Sequence, residues 1–202
     1  MRDRSRPLAD WDRPELYHRV ANSFALAASL LRIERDRNPA AADVLDRAAA
    51  QLGAFALLHR HLIEDQEETV ALGPFVDALG GHLEMACLAP RGIALDVCHG
   101  GGESDARTCQ VLGLVATEIV FNAAKYAFGP DGGAIRLDLV RDEAARLRLT
   151  VADNGRGFDL VTDGPLNGSS ILSRLVDTGA LILEVESSDR GTQLVATLAC
   201  AP

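Results

Sequence analysis

Glu118-Ile119-Val120-Phe121-Asn122-Ala123-Ala124-Lys125-Tyr126-Ala127-Phe128 is the stretch that decides how this chain is read, and Val151-Ala152-Asp153-Asn154-Gly155-Arg156-Gly157-Phe158 completes it. The first reads as a helix on which Glu118, Asn122 and Lys125 follow one another at steps of four and three, so the three side chains share a face. A carboxylate, an amide oxygen and an ammonium in one column make a donor set suited to a metal ion and a polyphosphate. The second stretch is an apolar strand that runs into a tight turn holding one acid and two glycines. Together they imply a nucleotide pocket.

Working outward, the texture from about Val70 is mixed α/β. Gly73-Pro74 opens a short helix to about Cys87, and residues 92–98 alternate like a strand. Gly100-Gly101-Gly102 is a loop, after which Ser104 is the expected cap of the helix carrying Asn122. Gly132-Gly133 breaks that helix from a strand at 134–141, followed by strands at 147–153, 181–187 and 192–198. A helix over 169–178, stopped by Gly179, lies between the second and third of these strands. The pattern predicts a predominantly antiparallel sheet with helices on one face, an α+β sandwich.

Upstream, Leu16, Val20, Phe24, Ala27 and Leu31 form an apolar stripe over 12–36, with Pro14 just inside its start. Asn38-Pro39 signals a turn in which Asn38 is an expected N-cap. A second, nearly heptad stripe of Leu45, Ala48, Leu52, Phe55 and Leu62 extends to about Glu67. The short connection makes the two helices antiparallel neighbours. Each carries about four large apolar side chains, worth roughly 1.5–3 kcal/mol apiece when buried. A hairpin leaves half of that surface wet, so a homodimer through residues 12–67, closing a four-helix bundle, is expected. The domain boundary then falls near residue 68, giving a helical hairpin at 1–67 and an α/β domain at 68–202.

Composition sets the limits. The 202 residues are 48% hydrophobic and 24% charged, as in an ordinary globular chain, and only 4% aromatic. A net charge of -9 argues against nucleic acid as a partner. No run approaches the roughly 20 apolar residues of a membrane span, and 1–13 lacks a signal-peptide core, so no membrane insertion and a cytoplasmic location are expected. Cys87, Cys98, Cys109 and Cys200 show no Cys-x-x-Cys spacing and read as free thiols.

His18 lies on the first helix, with Glu15 three positions before it and Asn22 four after it on the same face. An imidazole nitrogen accepts a phosphoryl group when a neighbouring carboxylate orients the ring. Alone, such a histidine is an ordinary surface residue; the nucleotide signature downstream changes that reading. His59, His61, His82 and His99 read as structural or solvated.

Residues 15–31 resemble the phosphoacceptor helix of two-component sensor histidine kinases, in the subgroup where the histidine is followed by Arg19 and, after two residues, Asn22. Leu57-Leu58-His59-Arg60-His61-Leu62 resembles that subgroup's second bundle helix, and 108–199 resembles the Bergerat-type ATP-binding domain shared with gyrase and MutL. The resemblance covers nearly all of the chain after residue 13. It implies that Glu118-x-x-x-Asn122-Ala-x-Lys125-Tyr126 is the asparagine box: Asn122 a ligand of Mg2+, Glu118 the holder of a metal-bound water, Lys125 a phosphate contact. Asp153-x-Gly155-x-Gly157 is similar to the first glycine box, whose acid accepts from the adenine amino group. Gly191-Thr192 matches the closing Gly-Thr. The second glycine box departs from the family: Leu166-Asn167-Gly168-Ser169 keeps one glycine of two, leaving Ser169 and Ser170 hydroxyls to assist an N–H cradle.

The function so implied is a histidine kinase. It phosphorylates its own His18 from Mg-ATP, with Glu15 orienting the ring and Asn22 positioning water in a reverse reaction, and passes the phosphoryl group to an Asp of a response-regulator receiver domain. Input is expected from a separate sensor or other upstream partner, unless the chain is a fragment of a longer one. Two alternatives stand beside it. One is a phosphorelay phosphotransferase with a degenerate kinase-like domain that binds no ATP; the other is a non-catalytic nucleotide-binding scaffold.

Overall fold

The computed structural model describes residues 13–64, 69–157 and 171–198, with side chains described for 18–60, 69–157 and 171–198. It has the α+β architecture expected: a helical hairpin followed by a mixed sheet covered by helices.

Helices α1 (Arg13–Arg37) and α2 (Ala42–Glu64) are joined by Asn38 and a single 3-10 turn, Pro39–Ala41. They run antiparallel, because Phe24 meets Phe55 and His59 at centroid distances of 5.7 and 5.5 Å, while Arg35 near the other end pairs with Asp46 at 3.7 Å. Asn38 makes no capping bond. Its amide donates back to the Glu34 carboxylate, a local partner that competes with the cap. The stripe of Val20, Phe24, Ala27 and Leu31 is half-buried against α2. A second stripe, Leu26, Leu30 and Ile33, stands 63%, 57% and 50% exposed on the outer side of α1.

Five strands form the main sheet in the order β2-β4-β5-β7-β6: β2 (Ile93–His99), β4 (Gly133–Arg141), β5 (Leu147–Asp153), β6 (Leu181–Ser188) and β7 (Gly191–Leu198). Three of the four pairings are antiparallel, and β2 alone lies parallel to its neighbour β4. β1 (Thr69–Ala71) and β3 (Glu103–Asp105) form a separate two-stranded ribbon. On one face of the sheet, alternate residues Ile135, Leu137, Leu139 of β4 and Leu147, Leu149, Val151 of β5 are at most 2% exposed. They pack under α3 (Leu72–Leu83), α4 (Ala106–Tyr126) and α5 (Ile171–Asp177) through Phe75, Leu79, Leu112, Ile119 and Leu172. Residues of the opposite face, such as Arg136, Arg148, Glu184 and Gln193, are exposed.

Two local expectations are corrected. Ser104 is paired with Val70 inside the β1–β3 ribbon, so the cap of α4 is Asp105, whose carboxylate accepts from the Thr108 amide at 2.9 Å. The helix expected from Gly73 to about Cys87 starts at Leu72, ends as α-helix at Leu83 and goes on as a π-helical turn, Glu84–Leu88. α5 is described over Ile171–Asp177, Ser169 and Ser170 lying outside the described residues, and it stops at Gly179 as expected, with a Schellman pair in which the Gly179 and Ala180 amides donate to Val176 and Leu175.

The hairpin is not held only by itself. Ala50, Ala54 and Leu58 of α2 are at most 3% exposed and join the core beneath α3 and α4. Small residues here let the helices approach closely: a β-carbon at Gly53 would run into the His82 ring of α3, whose Nε2 lies 3.1 Å from the Ala50 carbonyl oxygen.

Candidate functional site at the polar face of α4

α4 is two-sided. Leu112, Val115, Ala116 and Ile119 fill the core, while Glu118, Asn122 and Lys125 occupy the side toward α2. Glu118 is only 4% exposed. Burial pushes its carboxyl above the usual carboxylate range, and Arg47 and Gln51 partly offset that. Arg47 donates to Glu118 Oε2 at 3.1 Å and, more weakly, to Asn122 Oδ1 at 3.4 Å; Gln51 donates to Glu118 Oε1 at 2.6 Å. Lys125 Nζ lies 2.7 Å from Asp43 Oδ2, and that hydrogen bond holds the Asp43 carboxyl below its usual range and the ammonium above its own. Tyr126 is exposed, with the Lys125 ammonium 5.2 Å from its ring centroid. Sequence reasoning missed Asp43, Arg47 and Gln51. Their signal was present as a polar column at steps of four on an otherwise Ala- and Leu-rich helix.

The second stretch folds onto the end of α4. The Arg156 amide donates to the Ala127 carbonyl and its Nε to the Tyr126 carbonyl, each at 2.9 Å, so the turn after β5 and the last turn of α4 form one unit. Asp153 Oδ1 accepts from the Gly155 and Thr192 amides at 2.9 and 3.2 Å. Among the described residues no hydrogen bond reaches Asp153 Oδ2, leaving an acceptor for an amine donor. Burial raises this carboxyl above the ordinary Asp value, and the two amides partly counter the effect. Thr192 is buried, its hydroxyl 3.0 Å from that of Ser187. The glycines serve the chain itself. Gly157 has φ +64, and a β-carbon there would meet the Ser188 carbonyl; one at Gly155 would meet Ala127.

His18 and Asn22 are exposed on α1, four residues apart. Glu15 belongs to the same helix, but its side chain lies outside the described residues, as do Gly168, Ser169 and all of 158–170. Of the other histidines, His59 stacks on Phe24 and His82 bonds to Ala50; burial holds both below the ordinary histidine value. His99 lies 3.4 Å from Asp77, and the side chain of His61 is outside the described residues.

A family model described as histidine kinase (HisKA_2) matches residues 15–87, the hairpin and the start of the sheet domain. The sensor histidine kinase PdtaS of Mycobacterium tuberculosis is 28% identical over 204 aligned residues, covering 96% of this chain. The chain is thus similar to sensor histidine kinases, in its hairpin by the family model and along most of its length by the relative. It spans 40% of the length of PdtaS. The fold is that of the histidine kinase domain from the Erythrobacter litoralis EL346 blue-light activated histidine kinase, with a TM-score of 0.67 at 22% identity over 93% of this chain and 94% of that one. It is also that of full-length ShkA, solved in complex with AMPPNP, with a TM-score of 0.51 at 15% identity over 94% of this chain and 46% of ShkA. No helix among the described residues is long and apolar enough to cross a membrane.

The resemblance implies Mg-ATP as the ligand, and the donor chemistry of these residues fits it. An amide oxygen and a carboxylate suit a hard cation, which keeps most of its ligands from water and phosphates. Among the described residues no group of three His, Cys, Asp or Glu competes as a metal cage.

Proposed function

We propose that this chain is the catalytic part of a two-component histidine kinase that phosphorylates its own His18. In this reading Asp153 Oδ2 takes the adenine amino group, Lys125 the phosphates, and Asn122 with Glu118 the metal and its water, with Gly168 and Ser169 at the phosphate end. Bound Mg-ATP supplies the phosphoryl group and neutralises its charge. His18 supplies the nucleophile: an exposed imidazole nitrogen, oriented by Glu15, with Asn22 one turn away. The phosphoryl group then passes to an Asp of a response-regulator receiver domain. The working unit is a homodimer through 12–67, for which the outer stripe of Leu26, Leu30 and Ile33 offers an apolar face. A sensor or other upstream element supplies the input, and the site of action is cytoplasmic.

The observation that carries the reading is the hydrogen-bonded junction of Arg156 with Tyr126 and Ala127. It supports one site made of the Asp153 turn and the Asn122 helix rather than two unrelated features. A second reading, a phosphorelay phosphotransferase without ATP chemistry, is favoured by the engagement of Glu118 and Asn122 with α2. Incubation with γ-labelled ATP and Mg2+ separates them. Acid-labile label that disappears in His18→Gln supports the kinase. Absence of label, together with phosphate uptake from a phosphorylated receiver, supports the phosphotransferase.

A further inference from the structure

The three chemistry-bearing side chains of α4 all have partners on α2, and the partners run in register. Asp43 faces Lys125, Arg47 faces Asn122 and Glu118, and Gln51 faces Glu118, at 2.6 to 3.4 Å. Rising positions on α2 meet falling positions on α4, so the two helices lie antiparallel and the contacts form rungs. The charges alternate: acid on base at one rung, base on acid at the next. Both oxygens of Glu118 are taken, and the Asn122 oxygen already faces a guanidinium. A divalent cation and a guanidinium repel one another and cannot share that oxygen.

The hairpin adds an independent observation. Phe24 opposite Phe55 and His59, and Arg35 opposite Asp46, put His18 opposite about position 61 of α2. Arg47 stands fourteen residues away along the same helix, about 20 Å at 1.5 Å per residue. In-line transfer brings the reacting atoms to within about 3.5 Å. With α2 docked this way, the polar face of α4 is both filled and remote from its own His18.

We propose that α2 is a latch on the site: the Asp43–Arg47–Gln51 column occupies the atoms that hold metal and phosphate, so docking of α2 and binding of Mg-nucleotide exclude one another. The proposal presupposes the nucleotide reading of Glu118, Asn122 and Lys125 and adds its regulation. Input that shifts the hairpin off α4 frees those three side chains at once. That is a two-state element biased from outside the site.

The test uses the full chain, a fluorescent ATP analogue with Mg2+, and amide hydrogen exchange over 42–51. Arg47→Ala should bind the analogue about tenfold tighter than wild type, within the usual range of coupling between sites. Removing a positive charge would by itself weaken binding of an anion, so tightening is a signature of release. Asp43→Asn, at an exposed position that cannot unfold the core, should tighten binding several-fold. In wild type, saturating Mg-analogue should speed exchange over 42–51. Equal affinity in all three proteins with unchanged exchange overturns the latch and leaves the nucleotide site standing. No binding in any of them overturns both.

Discussion

Asp153 shows how a single side chain serves fold and site at different costs. One of its oxygens is spent on two backbone amides, and its burial holds the carboxyl above the ordinary Asp value. An acid whose folded pKa is raised binds more protons folded than unfolded, so its contribution to stability falls as pH rises through the window just above the ordinary value of about 3.9. At pH 7 the ionised form is the penalised one. Asp153→Asn, which keeps an acceptor oxygen, is therefore expected to leave the melting temperature level or higher while removing nucleotide binding; thermal melts at pH 7 check the first part. Gly157→Ala should cost about 1–3 kcal/mol in a denaturant titration, since φ +64 is a strained region for alanine and the methyl meets the Ser188 carbonyl. Cys87 and Cys109 are buried, their thiols pushed up to about 12, so a disulfide reagent at pH 8 should spare both in the native chain, while the half-buried Cys98 reacts and Cys98→Ser removes that reaction. At this scale the sequence was legible where chemistry is local: Asp153, Gly155 and Gly157 stand in the expected turn. Ser104 and Asp105 were not distinguishable as caps, because both types accept well and a non-local pairing with Val70 decides between them.

Helix α4 joins core and chemistry because its period places Leu112, Val115 and Ile119 against the sheet while Glu118, Asn122 and Lys125 stay clear of it. Leu112→Ala removes a fully buried side chain and should cost about 2–5 kcal/mol of unfolding free energy, read from the denaturation midpoint. The five strands of the main sheet and the α-helices followed from alternation, 3.6-residue stripes and Gly breaks, whereas the β1–β3 ribbon, three residues to a strand, was too short to show a period. What escaped was how α2 divides its surface. Ala50 and Ala54 carry little hydrophobic signal, and Gly53 carries none, yet they let α2 settle against α3 and α4. The outer stripe of α1 was overlooked for a different reason: Leu26, Leu30 and Ile33 share their helix with a longer stripe that takes the partner within the chain.

At the scale of the molecule, the hairpin faces two ways. One side of α2 closes on the sheet domain, while the outer side of α1 leaves three large aliphatic side chains in water beside the His18 face. A second copy is the proposed cover, and Leu26→Glu with Leu30→Glu should shift the chain to monomer in sedimentation. Between hairpin and sheet domain, four charges and two amides meet where the proposed reading puts metal and phosphate. The most direct measurement is calorimetric titration of a non-hydrolysable Mg-ATP analogue into wild type, Arg47→Ala, Asn122→Ala and Asp153→Asn. The account predicts saturable, Mg-dependent binding that is weak in wild type, tighter in Arg47→Ala, and lost in Asn122→Ala and Asp153→Asn. Binding that survives both of those last substitutions, or is absent throughout, contradicts it.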